Sequence, residues 1–197
     1  MCGIAGIYSR GDAVPRELLL EMAGEIEHRG PDGVGLYLDD AFGMVNVRLS
    51  IVDIAGGDQP ISNEDRQFWV MQNGEIYNAP ELRAELEQLG HRFETRCDTE
   101  VLVHAYEEWG SDSLNRFNGP FAFAVWDRQK KELFLARDRL GIRPLFITQY
   151  GNDFLFASEC KALLRHPQSL REIDLTALQE TFSCWATGPD RSAFRGI

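Results

Sequence analysis

Phe121-Ala122-Phe123-Ala124-Val125-Trp126 is an apolar run, broken by Asp127-Arg128-Gln129-Lys130-Lys131 and followed by a second run, Glu132-Leu133-Phe134-Leu135-Ala136. Both read as strands with apolar residues on both faces, which demands cover on both sides. The break is too brief for a helical crossover, so the two strands should pair antiparallel. Gly3-Ile4-Ala5-Gly6-Ile7-Tyr8 and Phe154-Leu155-Phe156-Ala157 share this character, the latter preceded by the turn signal Gly151-Asn152-Asp153. Strand-like runs also lead from Met44 to Arg48 and through Phe68-Trp69-Val70-Met71.

Helices supply the outer cover. Residues 15–28 place Leu18, Met22 and Ile26 on one stripe, with Pro15 near the start and Gly30-Pro31 past the end. Residues 80–89 repeat Leu82, Leu86 and Leu89, with Asn78 and Glu81 as a capping-box pair and Gly90 as the stop. A third helix over 99–109 carries Val101, Leu102, Ala105, Tyr106 and Trp109. Such helices against doubly covered sheets stack as helix, sheet, sheet, helix, an α+β fold of two antiparallel sheets between helical layers. The strand pattern stops near Arg165, and a helix-like segment over 174–185 leads into Thr187-Gly188-Pro189-Asp190, which reads as a connector.

The chain has 197 residues and a net charge of −11. With no Lys/Arg run, it lacks the basic surface that nucleic acid or an anionic membrane requires. The absence of a leader-like start and of long apolar runs predicts a cytoplasmic protein without membrane attachment. Cys2, Cys97, Cys160 and Cys184 show no C-x-x-C or Cys/His spacing, so neither a metal site nor a disulfide framework is expected. The last three read as packing residues, and His28 lacks the partners of a metal site or triad.

Several positions carry potential chemistry. Removal of Met1 would leave Cys2 with a thiol beside a free α-amine of pKa roughly 7.7 to 8, placing nucleophile and base in one residue. A cysteine at position 2 also occurs by chance. Arg48 offers a planar fork to a carboxylate, or a structural ion pair. Asn73-Gly74 offers one side-chain and one backbone N–H to an oxyanion, or simply a turn. Asp98 precedes a helix and could cap it. Arg29 either borders a pocket or serves structure. Arg137-Asp138-Arg139-Leu140-Gly141-Ile142-Arg143-Pro144 lacks the glycines of a phosphate loop and reads as a turn held by ion pairs.

Taken in order, Met1-Cys2-Gly3-Ile4, His28-Arg29-Gly30-Pro31-Asp32, Arg48-Leu49-Ser50-Ile51-Val52-Asp53, Asn73-Gly74-Glu75-Ile76-Tyr77-Asn78, Asp98-Thr99-Glu100, Phe121-Ala122-Phe123-Ala124, Arg137-Asp138 and Phe156-Ala157-Ser158-Glu159 form a constellation. It resembles the glutaminase domain of class II glutamine amidotransferases, a branch of the N-terminal nucleophile (Ntn) hydrolases, and most closely that of the asparagine synthetases. The resemblance implies the four-layer αββα Ntn-hydrolase sandwich. It also implies that Cys2 attacks the carboxamide of L-glutamine, forming a γ-glutamyl thioester that water resolves to glutamate. Asn73 and Gly74 match the oxyanion pair, Arg48 the α-carboxylate anchor, and Asp98 and Glu75 the surroundings of the α-ammonium, with backbone at Ile51 and Val52 lining the pocket.

On this resemblance residues 2–165 form the glutaminase domain, which needs no cofactor. Residues 166–197 lead toward a C-terminal synthetase domain whose Ser-Gly-Gly-x-Asp-Ser loop this chain lacks, so ATP and Mg²⁺ are expected only there. The chain is then an amino-terminal fragment, with a homodimer left open. Two positions depart from the family pattern: Asn46-Val47 stands before Arg48 without the usual His, and Pro120 precedes Phe121. A related amidotransferase with another carboxylate acceptor, or a weakly active interaction or regulatory module of the same fold, are the alternatives. A retained Met1 would turn the Cys2 amine into a peptide nitrogen without useful basicity.

Overall fold

A computed structural model describes residues 1–188 and 190–197; Pro189, read above as part of a connector turn, lies outside the described residues. The first half contains β1 (Gly3–Ser9), α1 (Arg16–Ile26), β2 (Gly33–Asp39), β3 (Phe42–Arg48), β4 (Ile61–Ser62), β5 (Phe68–Gly74), α2 (Ala79–Leu89) and α3 (Asp98–Trp109). The second contains β6 (Phe121–Asp127), β7 (Glu132–Arg137), β8 (Phe146–Tyr150), β9 (Asp153–Ala157), α4 (Cys160–Leu163) and α5 (Leu175–Cys184). The runs that opened the sequence reading are β6 and β7, paired antiparallel with Trp126 opposite Leu133.

Two sheets result, in the orders β2-β3-β1-β9-β8 and β4-β5-β6-β7. Every pairing is antiparallel. Side-chain alternation along each strand explains the layers. In β1, Ala5 and Ile7 face α1 and α4, packing with Leu19, Met22, Ile26, Ala162 and Leu163. Ile4 points the other way, into a core shared between the sheets with Phe42, Met44, Met71, Ala124, Trp126 and Phe156. On the far face of the second sheet, Val70, Phe123 and Val125 meet Leu82, Leu86, Val101, Leu102 and Ala105 of α2 and α3. Helix, sheet, sheet and helix therefore stack as expected.

The inter-sheet layer is dry and aromatic. Phe42 stacks on Trp126 with ring centroids 4.3 Å apart, and the Trp126 indole N–H donates to Asp39 Oδ2 at 3.1 Å. Gly6 makes room for this layer, since a Cβ there would lie 2.4 Å from Phe156 Cζ. A second polar contact joins the sheets: the buried Asn46 Nδ2 donates to Gly3 O in β1 and to Gln72 O in β5, each at 3.3 Å. Asn46 is thus a rivet between the sheets.

The helices require some corrections. The buried stripe of α1 is Leu19, Met22, Ala23 and Ile26, with Leu18 only half-buried. The helix turns its neighbour inward, and a 3₁₀ turn, Glu27–Arg29, closes it. Asn78 makes no cap to α2. Its amide instead donates to Arg116 O and accepts from Asn118 N, both at 2.9 Å, because that loop passes closer than the helix's own N–H groups. Leu89 is exposed, while Gly90 ends α2 at φ 106° as anticipated. The Arg137-Asp138 turn is held by hydrogen bonds to backbone rather than by ion pairs: Asp138 accepts from Leu140, Ile142 and Arg143 N, and Arg137 donates to Gly141 and Arg143 O. Beyond α4, Asp174 caps α5 through Thr176 and Ala177 N, and Ile197 packs back on the α1 face of the first sheet.

Because Trp126 is fully buried in the inter-sheet layer, Trp126→Ala should destabilise the fold by about 3–5 kcal/mol. Urea unfolding checks this. A loss under about 1 kcal/mol would mean that the two sheets are held together elsewhere.

Candidate active site

The strand ends and loops at one end of the sandwich enclose a cavity of about 80 Å³. Cys2 enters it just ahead of β1, Arg48 at the end of β3, Ile51 and Val52 from the following loop, Asn73, Gly74 and Glu75 at the end of β5, and Asp98 at the start of α3. Every position singled out in the sequence as catalytic or substrate-binding therefore lines one space. A larger groove, about 860 Å³, runs between the edge strands β7 and β8, but no cysteine, serine or histidine lines it.

Cys2 is held from two directions. Its Sγ accepts from Leu49 N at 3.4 Å, and its carbonyl accepts from Arg29 Nε at 3.1 Å. Arg29 in turn donates to Glu159 Oε1 at 2.8 Å, and His28 Nε2 lies 3.0 Å from the same oxygen. Partial burial works against the Glu159 charge, yet Arg29, Lys161 and His28 hold its carboxyl below the usual range. Ser158 exchanges hydrogen bonds with the Ile4 backbone, its N donating at 2.8 Å and its Oγ accepting at 3.0 Å. The His28-Arg29 and Ser158-Glu159 motifs thus position the amino-terminal strand. The local sequence left Arg29 between pocket wall and scaffold; its bonds to the Cys2 carbonyl and to Glu159 arise only when the start of β1 and the segment after β9 meet the turn that closes α1.

A second thiol lines the same cavity. Burial pushes Cys97 up to about 11, with Thr99 opposing and the charge of Asp98 assisting. Cys97 therefore stays protonated at neutral pH and is the poorer nucleophile. Asp98 does not cap its own helix. Its Oδ2 accepts from Ile76 N at 2.9 Å, tying the loop after β5 to the start of α3. Beneath them, Gln59, Gln72 and Thr99 share buried hydrogen bonds, with Gln59 Oε1 accepting from Gln72 N at 2.6 Å and Thr99 Oγ1 donating to Gln72 Oε1 at 2.8 Å.

Nearby, Gln72 Nε2 and Asn46 Oδ1 lack partners, but Asn73 lacks them at both polar atoms. It is fully buried at the end of β5, yet neither its Oδ1 nor its Nδ2 meets a protein hydrogen-bond partner. Leaving a buried amide unpaired costs about 1–3 kcal/mol, so an orphaned amide on a cavity wall marks a position where a ligand completes the bonds. Gly74 follows with no room for a side chain, as a Cβ would lie 2.4 Å from Pro120 O. Pro120 stands just ahead of β6, outside its ladder, so its missing N–H is no loss, and its carbonyl accepts from Glu75 N at 3.0 Å.

Arg48 reaches the cavity with its guanidinium already engaged. Nη1 donates to Asp58 Oδ1 at 2.6 Å and Ile54 O at 3.2 Å, while Nη2 donates to Val52 O at 3.1 Å and Asp53 O at 2.6 Å. The side chain thus pins the 52–58 loop that roofs the site. Asp58 is largely exposed, and neither it nor the loop closure was visible in the sequence. Met1 also lines the cavity, where its Sδ contacts Arg143 Nη1.

A family model for the glutamine amidotransferase domain matches residues 1–197. Asparagine synthetase [glutamine-hydrolyzing] 3 of Bacillus subtilis is 41% identical over 201 residues, covering 100% of this chain and 32% of that protein. Asparagine synthetase [glutamine-hydrolyzing] 2 of the same organism is 44% identical over 180 residues, covering 88% and 24%. The chain spans about a third or less of these relatives. Among solved structures, glutamine phosphoribosylpyrophosphate amidotransferase from B. subtilis superposes with a TM-score of 0.70 at 24% identity, over 88% of this chain and 45% of that one, a likeness of fold. The four-layer stack is accordingly the fold of that solved amidotransferase, and this chain belongs to the glutamine amidotransferase domain family.

Proposed function

We propose that the chain hydrolyses L-glutamine to glutamate and ammonia on Cys2 once Met1 has been removed. The α-amine of Cys2 takes the thiol proton as Sγ attacks the substrate carboxamide carbon. The negative charge that develops on the carboxamide oxygen is received by Asn73 Nδ2 and the Gly74 backbone N–H. Collapse breaks the C–N bond, the α-ammonium returns its proton to the leaving nitrogen, and ammonia departs from a γ-glutamyl thioester. Water then cleaves the thioester, regenerating the Cys2 thiol. The observation that carries this reading is the buried, unpartnered Asn73 amide on the wall of the cavity that Cys2 enters.

The rest of the substrate follows from charge. Its α-carboxylate would replace Asp58 on Arg48 Nη1, in a charge-assisted hydrogen bond, while the other guanidinium N–H groups keep the roof loop in place. Asp98 and Glu75 would take the α-ammonium, with backbone at Ile51 and Val52 closing over the chain. Residues 2–165 would make up this glutaminase unit, with 166–197 leading into a synthetase domain of a longer cytoplasmic protein. That assignment draws on the relatives' names, which describe asparagine synthetases. Ammonia would pass there to aspartate, and ATP and Mg²⁺ would serve only that domain, the glutaminase itself needing no cofactor.

Three outcomes follow. Asn73→Ala should keep the fold but lower glutamine turnover roughly a hundred- to a thousandfold; near-normal release of glutamate would remove Asn73 from the mechanism. An amino-terminal extension ahead of Cys2 should abolish turnover, and its proteolytic removal to expose Cys2 should restore it, as measured by glutamate production. Asp58→Asn should lower KM for glutamine, by no more than about fivefold, because an exposed ion pair is worth only about 0.2–1 kcal/mol. A raised KM would show that Asp58 shapes the loop more than it competes with substrate.

A further inference from the structure

The outer side of the second helical layer gathers a group that glutamine chemistry leaves unused. His91 follows Gly90 at the end of α2, His104 lies in the middle of α3, and their ring centroids are 5.1 Å apart. The Nδ1 atoms of both rings face the same two carboxylates. His104 Nδ1 is 3.5 Å from Glu64 Oε2 and 3.9 Å from Glu107 Oε2. His91 Nδ1 is 3.8 Å from Glu64 Oε1 and 3.7 Å from Glu107 Oε2. One ligand atom from each of the four residues lies within 4.8 Å of all the others.

These separations are long for hydrogen bonds, which cluster at 2.7–3.2 Å. They suit the corners of a coordination tetrahedron. A zinc ion bound by nitrogen and carboxylate oxygen at about 2.0–2.1 Å sets its ligands about 3.3 Å apart, so the His–Glu pairs at 3.5–3.9 Å need close by only a few tenths of an ångström, while side-chain rotation must draw in the wider pairs, which lie within 4.8 Å. A second observation is independent of spacing: His104 is buried, and neither ring nitrogen has a hydrogen-bond partner. The carboxylates of Glu64, Glu100 and Glu107 face it at 3.5–3.9 Å, beyond ordinary hydrogen-bond reach.

The surroundings resemble those of a ligating histidine. Behind each ring, on the Nε2 side, stands a carboxylate: Glu100 Oε1 at 3.7 Å from His104 and Glu108 Oε2 at 3.3 Å from His91. The His91–Glu108 contact is a hydrogen bond of the kind that orients an imidazole ligand and raises its basicity, while Glu100 stands farther from His104. Glu100 is itself fixed, accepting from Glu94 N, Thr95 N and Thr95 Oγ1 at 2.6–2.7 Å. An open pocket of about 340 Å³, which Glu64, His91 and Glu107 help to line, gives an ion access from solvent.

We propose that Glu64, His91, His104 and Glu107 bind one divalent transition-metal ion, with zinc the best match to two imidazoles and two carboxylates in near-tetrahedral array. The ion joins the β4–β5 turn, the end of α2 and the middle of α3. It braces the helix whose first residue, Asp98, lines the active-site cavity. Cysteine spacing, on which the expectation of no metal site rested, is irrelevant to a site without thiolates.

The full chain, stripped with EDTA and dialysed, should be titrated with zinc sulfate against a chromophoric chelator and separately with cobalt chloride. One ion should bind per chain. The cobalt form should show visible bands of a tetrahedral nitrogen and oxygen site without a thiolate charge-transfer band in the near ultraviolet. His91→Ala and Glu107→Gln, each confirmed as folded by circular dichroism, should weaken zinc binding at least tenfold. Failure of the wild type to bind, undiminished binding by both folded variants, or a thiolate band would each overturn the site.

Discussion

Two sheets, each apolar on both faces, must meet across a layer that excludes water. That constraint governs the rest of the molecule. Phe42, Trp126 and Phe156 fill the layer, and Gly6 thins β1 so that Phe156 fits. A buried polar contact sits near the active-site end of this layer, where Asn46 joins Gly3 of β1 to Gln72 of β5. This bond fixes the start of β1 against the end of β5. Cys2 and Asn73 belong to those two places, so the same packing that buries the core also brings nucleophile and orphaned amide to one cavity.

The cavity separates like groups by environment. Cys2 and Cys97 both line it, but burial holds Cys97 as a thiol while Cys2 stands at the partly exposed amino terminus. The carboxylates are similarly divided. Asp98 is buried and bound to Ile76 N, whereas Asp58 is exposed and paired with Arg48. An exposed partner is the one that an incoming carboxylate can displace at low cost. Arg48 therefore has two uses, roofing the site through Val52, Asp53 and Ile54 carbonyls and presenting a positive charge to a substrate.

Much of this was legible because the decisive signals are local. The doubly apolar runs became β1, β6, β7 and β9, and short turns allowed only antiparallel pairing. Strands β2 and β8 escaped notice as edge strands with mixed exposure, the first interrupted by Gly33 and Gly35. Strand β4 has two residues and no pattern to read. Asn78 carried a capping signature, but a loop brought in from Arg116 and Asn118 took its amide. The same limit hid the partners of Arg29 and Arg48 and the grouping of His91 with His104. Each depends on a contact between segments far apart in the chain, which no spacing rule encodes.

The central claim is that Cys2, at a free amino terminus, is the atom that attacks glutamine. A diazoketone analogue of glutamine, which alkylates an attacking thiolate, tests it when followed by intact-mass analysis and peptide mapping. The account predicts one adduct per processed chain, located on Cys2, prevented by excess glutamine and absent from Cys97, Cys160 and Cys184. Labelling of Cys97, or no labelling of a folded chain that has lost Met1, would contradict it.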